Sequence, residues 1–213
     1  MSSGRDTIIE LLVRIAPLII DSYSKYPNHC VMATSVGIEV LRRCHVYGRS
    51  IYARPLSVHM QIFNDSMKQW LDSGMDGGVE KAIEAGSHIL ETDVNPVILK
   101  PGFWGGHLMI ELPGIKKKHQ RKRSRLIELN AGQYTRPQKN INLPPGILFE
   151  NFGGEDRYGS AEKGWIIIKA RRDDKSYEDG PDWKNREERD DCVNEIIFEM
   201  KKVLHKGYYR TGD

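Results

Sequence analysis

The sequence predicts an α+β fold built on an antiparallel sheet, and three patterns predict it. Apolar residues recur at helical spacing near both ends of the chain, segments in the middle alternate apolar and polar residues with period two, and glycine-rich punctuation separates the two kinds of segment. The 213 residues suit one core, so a single domain is expected over 1–213, with an N-terminal helix at 1–25, a core at 26–135, additional strands at 136–180 and a closing helix at 181–206.

The first helix rests on a capping box, Thr7 with Glu10, and on Ile8, Leu11, Leu12, Ile15 and Ile19 at three-four spacing. Pro17 is expected to kink it or end its first part. Asn28 then serves as N-cap for a second helix running to about Arg43, with Val31, Val36, Ile38, Val40 and Leu41 on its buried side. From Ser50 to Phe63 the period changes to two, with Leu56, Val58, Met60 and Ile62 against Ser57, His59 and Gln61, the mark of a half-buried strand. Asn64 or Asp65 caps a short helix through Trp70 and Leu71, and glycines 74, 77 and 78 separate it from a helix over Val79 to Ala85.

Gly106 to Leu112 alternates again, and Arg125 to Asn130 reads as its hairpin partner across a long tip. Further strands are expected at Ile147 to Glu150 and Trp165 to Ala170. After Gly180 and Pro181, the residues Cys192, Val193, Ile196, Ile197, Met200, Val203 and Leu204 mark the closing helix, with Trp183 as its packing anchor.

Composition is ordinary for a globular protein, with 39% apolar and 29% charged residues. The net charge of +3 comes from one place: Lys116, Lys117, Lys118, Arg121, Lys122, Arg123 and Arg125 crowd into the hairpin tip, and without them the charge turns negative. Nucleic acid is therefore not the expected partner, since no aromatic residues interleave with this run; an anionic partner at the basic loop is the secondary expectation. Three cysteines, Cys30, Cys44 and Cys192, lack the even, dense spacing of a disulfide-stapled secreted chain. A reducing, cytoplasmic setting is expected, with no membrane partner, because the apolar stretch Ile8 to Ile20 carries Glu10 and Arg14 and is too short to span a bilayer.

No metal is expected, because the histidines and cysteines show neither C-x2-C nor H-x3-H spacing, and no cofactor is expected, because no glycine cluster carries the Gly-Lys of a phosphate-binding loop. Cys44-His45 lies at the far end of the second helix from Cys30, about 21 Å away at about 1.5 Å per residue, so the two ends cannot serve one site.

A thiol becomes a nucleophile when its pKa falls, which the positive end of a helix and a nearby imidazolium both promote. Cys30, in the first turn after Asn28, stands at such an end, where backbone N–H groups are free to hold an oxyanion. Its base must come from elsewhere, and His107 is the best placed of seven histidines: it follows Trp104, Gly105 and Gly106 and opens an alternating strand. Glu128 and Asn130 share one face of the following strand and are the candidates for orienting the imidazole. Asn28 or His29 is the candidate side-chain donor to an oxyanion.

The segments NHCVMATSVGIEVLRR, RPLSVHMQIF, FWGGHLMIEL and RLIELNAGQ, in that order over residues 26 to 135, resemble uncharacterised bacterial and phage proteins of the transglutaminase-like and papain-like superfamily. The resemblance implies a nucleophile helix packed on an antiparallel sheet with flanking helices, and a triad of Cys30, His107 and Glu128 with Asn130 as alternate third member. Glu128 departs from the usual Asp by one methylene, about 1.5 Å of extra reach. It also implies a cysteine-dependent hydrolase or acyl transferase acting on an amide, isopeptide or thioester carbonyl of a protein, peptide or small acyl substrate. Peptidase, deamidase, transglutaminase and acyltransferase share the first half-reaction, and the residues do not choose among them. The rival expectation is a non-catalytic binding protein on the same fold, holding an anionic partner through the basic hairpin at 116–125.

Overall fold

The computed structural model describes residues 4–23, 29–91, 106–114, 123–179, 183 and 186–208. In chain order these form helices α1 (Gly4–Tyr23) and α2 (His29–Arg43), a small hairpin β1 (His45–Val46) and β2 (Arg49–Ser50), and strand β3 (Arg54–Phe63). Helices α3 (Asp65–Asp72) and α4 (Gly78–Glu84) follow, then β4 (Ile89–Glu91), β5 (His107–Leu112) and β6 (Ser124–Glu128). Two 3-10 turns at Ala131–Tyr134 and Pro137–Lys139 lead to β7 (Ile147–Phe152), β8 (Glu155–Ser160), β9 (Gly164–Ala170) and a long final helix, α5 (Arg186–Tyr208). The fold is mixed α+β, as expected.

One antiparallel sheet organises the molecule, in the order β7-β6-β5-β3-β9-β8, with β4 paired to the far end of β3. Its two outer strands are neighbours in the chain, and they curl back on each other: the rings of Phe149 and Tyr158 lie 4.6 Å apart. The sheet is thereby almost a closed barrel, which shelters its edges. Strand alternation sorts the side chains into two cores. Leu56, Val58, Met60, Ile62, Met109, Leu126, Phe149, Phe152, Ile166 and Ile168 fill the inside. Ile110, Leu112, Ile127 and Leu129 point outward and are covered by Ile9, Leu12, Ala16 and Ile20 of α1, Val36, Val40 and Leu41 of α2, and Cys192, Val193, Ile196 and Met200 of α5.

α2 lies against β5, and the approach is close because residue 37 is a glycine: a Cβ there would fall 2.3 Å from Ile110 Cδ1 and 2.7 Å from Leu129 Cδ1. One turn earlier, the Thr34 hydroxyl donates to the Leu108 carbonyl at 2.9 Å. The helix therefore advances along β5 from Leu108 to Ile110, and a further turn back, about 6 Å at about 1.5 Å per residue, brings Cys30 to the mouth of β5 where His107 stands.

Several expectations need correction. α1 begins at Gly4, ahead of the Thr7 capping box, and runs unbroken through a buried Pro17. Proline deprives the Val13 carbonyl of its helical donor, and the structure accommodates this by packing Gly146 against it, where a Cβ would come within 2.3 Å. Ser50 to Phe63 is not one strand: Arg49–Ser50 belongs to the β1–β2 hairpin, whose turn residues Tyr47 and Gly48 both adopt positive φ, and β3 starts at Arg54. β3 alternates as expected, with Leu56, Val58, Met60 and Ile62 buried and His59 and Gln61 partly exposed, although Ser57 on the same polar face is only 2% exposed. The partner strand of β5 ends at Glu128, leaving Asn130 beyond it at the start of a 3-10 turn. Strand β8 and the short β4 carried no readable alternation in sequence. The basic tip lies mainly in 115–122, outside the described residues; its two ends meet at Gly114 and Arg123, whose carbonyl would be 1.7 Å from a Cβ on Gly114.

Candidate functional site

Cys30 is the second residue of α2, so its backbone N–H is among those that no helical carbonyl receives. The thiol is 7% exposed and packs with Val31, Leu108 and Tyr177, with Trp183 edge-on to Tyr177 at 5.0 Å between ring centroids. His107 opens β5 and is 1% exposed. Its imidazole lies within hydrogen-bonding reach of Cys30.

The ring is held from the other side. Nε2 meets Glu128 Oε2 at 2.5 Å, and the second oxygen of that carboxylate accepts from the Asn130 backbone N–H at 2.6 Å. The extra methylene of Glu128 is therefore accommodated, because the carboxylate spans from the ring to the chain that turns away after β6. Nδ1 faces the Tyr134 hydroxyl at 3.1 Å, the two rings meeting edge-to-face at 5.6 Å. With Nε2–H donated to Glu128, Nδ1 is the ring nitrogen left to the Tyr134 hydroxyl and the thiol.

Electrostatics follow from this crowding. Burial by itself pushes the His107 pKa down, but the charge of Glu128, a hydrogen bond with Cys30 and the bond to Glu128 outweigh it, so the imidazolium is favoured well above the usual histidine range. Burial, and then the charges of Glu128 and Cys30, push the Tyr134 phenol up, so it stays a donor. The other thiols are set apart from this environment. Burial raises Cys44, and burial with Glu195 and Glu188 raises Cys192 to about 12.

Of the residues expected at the site, Cys30, His107 and Glu128 come together. Asn130 lies alongside but gives His107 no side-chain bond: its buried Nδ2 has no hydrogen-bond partner among the described residues. Gly106 precedes β5 and is partly buried. Asn28, Trp104 and Gly105 lie outside the described residues, as does the side chain of His29. Tyr134 was not legible in the sequence; its only signal is that it follows the acid by six positions, just past the end of a strand.

Compared with known proteins, the chain matches no protein-family model, no curated protein and no solved structure. Among the described residues no group of three or more His, Cys, Asp or Glu side chains is arranged to hold a metal ion, and no helix is long and apolar enough to cross a membrane. What the arrangement offers is a thiol at a helix start, an imidazole beside it, and a carboxylate and a phenol fixing both ring nitrogens.

Proposed function

We propose that the protein is a cysteine-dependent hydrolase or acyl transferase, with Cys30 as nucleophile, His107 as its acid and base, and Glu128 as the group that orients the imidazole. One observation carries this reading: the His107 ring is bonded through Nε2 to Glu128 while lying within hydrogen-bonding reach of the thiol at the start of α2. The order helix cysteine, strand histidine, acid on the neighbouring strand is also what the resemblance to the transglutaminase-like and papain-like superfamily implies.

In this reaction the sulfur of Cys30 attacks the carbonyl carbon of an amide, isopeptide or thioester, its proton having passed to His107. A C–S bond forms, and the carbonyl oxygen takes the electron pair. Backbone N–H groups at the start of α2 are positioned to receive that oxyanion. As the carbonyl re-forms, the C–N or C–S bond of the substrate breaks, and the imidazolium gives its proton to the departing amine or thiol. Water or an amine then attacks the acyl-enzyme, giving its proton to His107, and the thiol is restored. Glu128 keeps the ring in register through both halves and stabilises its charged form.

Thiol reactivity tests the reading without knowledge of the substrate. Iodoacetamide at about pH 6 is expected to alkylate Cys30 well before Cys44 and Cys192, read by peptide mass spectrometry, and His107→Ala abolishes the preference. Slow, equal alkylation of the three thiols contradicts the enzyme and favours a binding protein on the same fold.

A further inference from the structure

Away from the thiol, the β1–β2 hairpin, the start of α1 and Pro113 enclose a cavity of about 440 Å³. Pro113 follows His107 by six residues, about 20 Å at about 3.4 Å per strand residue, so this cavity lies at the opposite end of β5 from the candidate active site. Val46, Ile51 and Pro113 give it apolar walls, and α1 starts directly against β1: a Cβ on Gly4 would lie 3.4 Å from Val46 Cγ1. Arg5 of α1 and Arg49 of β2 also line it, and no aspartate or glutamate does. Neither guanidinium has an ion-pair or hydrogen-bond partner among the described residues, although Arg5 Nε is buried. Asp6, next to Arg5 in the chain, is held by Arg125 at 2.8 Å. A buried N–H without an acceptor costs stability that an incoming acceptor restores.

Tyr47 and Tyr52 complete the lining and are 94% and 67% exposed. Tyr47 does nothing for the fold. It stands in the hairpin turn at a φ of 53°, followed by Gly48 at 75°, where such a two-residue turn favours Asn or Asp before Gly and a bulky residue is strained. Arg5, in the first turn of α1, is likewise set against the positive end of its helix. A ring that strains its turn while burying nothing, and a cation that opposes its helix without a counter-ion, point to a ligand that uses both. The basic run starts beside them in the chain: Lys116, Lys117, Lys118, Arg121, Lys122 and Arg123 follow Pro113 closely, and Arg125 is spent on Asp6.

We propose that this cavity binds single-stranded nucleic acid, with Arg5 and Arg49 on phosphates and Tyr47 and Tyr52 stacked on bases. The basic run argued against such a partner because no aromatic residues interleave with it; the fold brings the rings from another hairpin instead. Each part of the ligand has its match. A guanidinium fork receives phosphate oxygens, a phenol ring covers the flat face of any base, and a strand rather than a lone nucleotide supplies anions for the cations that follow Pro113. A duplex keeps its bases stacked on one another and offers the rings no open face. The cavity is separate from the thiol, so this proposal stands whether or not Cys30 is a nucleophile.

The test uses the full chain and fluorescence anisotropy with labelled uridine and deoxyuridine strands of about twelve nucleotides, beside a duplex of the same length. The strands are expected to bind about tenfold more tightly than the duplex at about 50 mM salt. Tyr52→Ala and Tyr47→Asn are each expected to weaken strand binding about tenfold. Because Asn suits the positive φ at 47, the thermal midpoint of that variant holds or rises, which separates loss of the ring from loss of the fold. Arg5→Gln and Arg49→Gln are each expected to lower the slope of log affinity against log salt by about 0.7. The two strands differ in the 2′-hydroxyl, so their relative affinities tell RNA from DNA as the source. Iodoacetamide labelling of Cys30 stays unchanged in all four variants, so failure here is distinct from failure of the nucleophile. Equal binding of strand and duplex, or tyrosine variants that bind the strand like the unmodified protein, overturns the proposal. Anionic phospholipid vesicles that displace the strand, and that lose their own affinity in the tyrosine variants, overturn it in favour of a membrane surface.

Discussion

At His107 two nitrogens have two different jobs, and the substitutions around the ring separate them. Glu128→Gln removes the charge that holds the imidazolium, so the alkylation rate of Cys30 at about pH 6 is expected to drop about tenfold or more, while Asn130→Ala changes it little because only the backbone N–H of that residue supports Glu128. The opposite ranking of these two variants in the same assay gives the third position to Asn130. Tyr134→Phe removes the hydroxyl that faces Nδ1, leaving that nitrogen to Cys30 alone; the pH profile of alkylation is expected to move while the fold is kept. His107 and Glu128 were legible in sequence because period-two alternation fixed their faces before any contact was known. Tyr134 was not, since it takes its meaning from His107, a partner far away in the chain that no local period announces.

Helix α2 is the element that aims the thiol, and it is positioned by what it lacks at Gly37 and by what it holds at its other end. Gly37→Ala gains about 1 kcal/mol of helix propensity, but the added methyl displaces Ile110 and Leu129 at a cost of about 1–3 kcal/mol, so a net loss of stability is expected in denaturant titrations. Because the helix shifts off β5, Cys30 alkylation falls as well. At the C-terminal end, Arg43 reaches Asp190 at 2.8 Å and Asn194 at 3.0 Å on α5, and also pairs with Glu39. The hydrogen bond from Arg42, helped by Arg43 and opposed by burial, lowers Glu39 to about 2 from 4.5. The stabilisation from this depressed carboxylate is complete above about pH 4.5 and fades as pH falls toward 2, so Glu39→Gln is expected to flatten the acid limb of a stability profile. The helix itself was plain from its apolar spacing. β1, β2, β4 and β8 were not, because two- and three-residue strands show no period and β8, with sequence EDRYGS, lies at the outer end of the strand order and alternates with few apolar residues.

Across the whole molecule, the barrel and the three-helix cover do different work. Ile168, fully buried inside, is expected to cost about 2–5 kcal/mol when changed to Ala, measured by urea unfolding, because closed walls leave little room to collapse around the gap. Deleting α5 uncovers the face it shares with α1 and α2, and loss of cooperative unfolding is expected. The α+β class could be read from alternating periods, but barrel curvature could not, since closure depends on β7 and β8 meeting across the sheet and leaves no trace in either strand alone. That closure, with α2 laid on its outer surface, brings residues 30, 107 and 128 to one point. The juxtaposition is tested most directly by following the His107 imidazole by nitrogen NMR against pH in the unmodified protein and in Cys30→Ser. The account predicts an imidazolium that persists well above the ordinary 6.5 and gives up its proton at lower pH once the sulfur is gone. Identical titrations in the two proteins, both near 6.5, would contradict it.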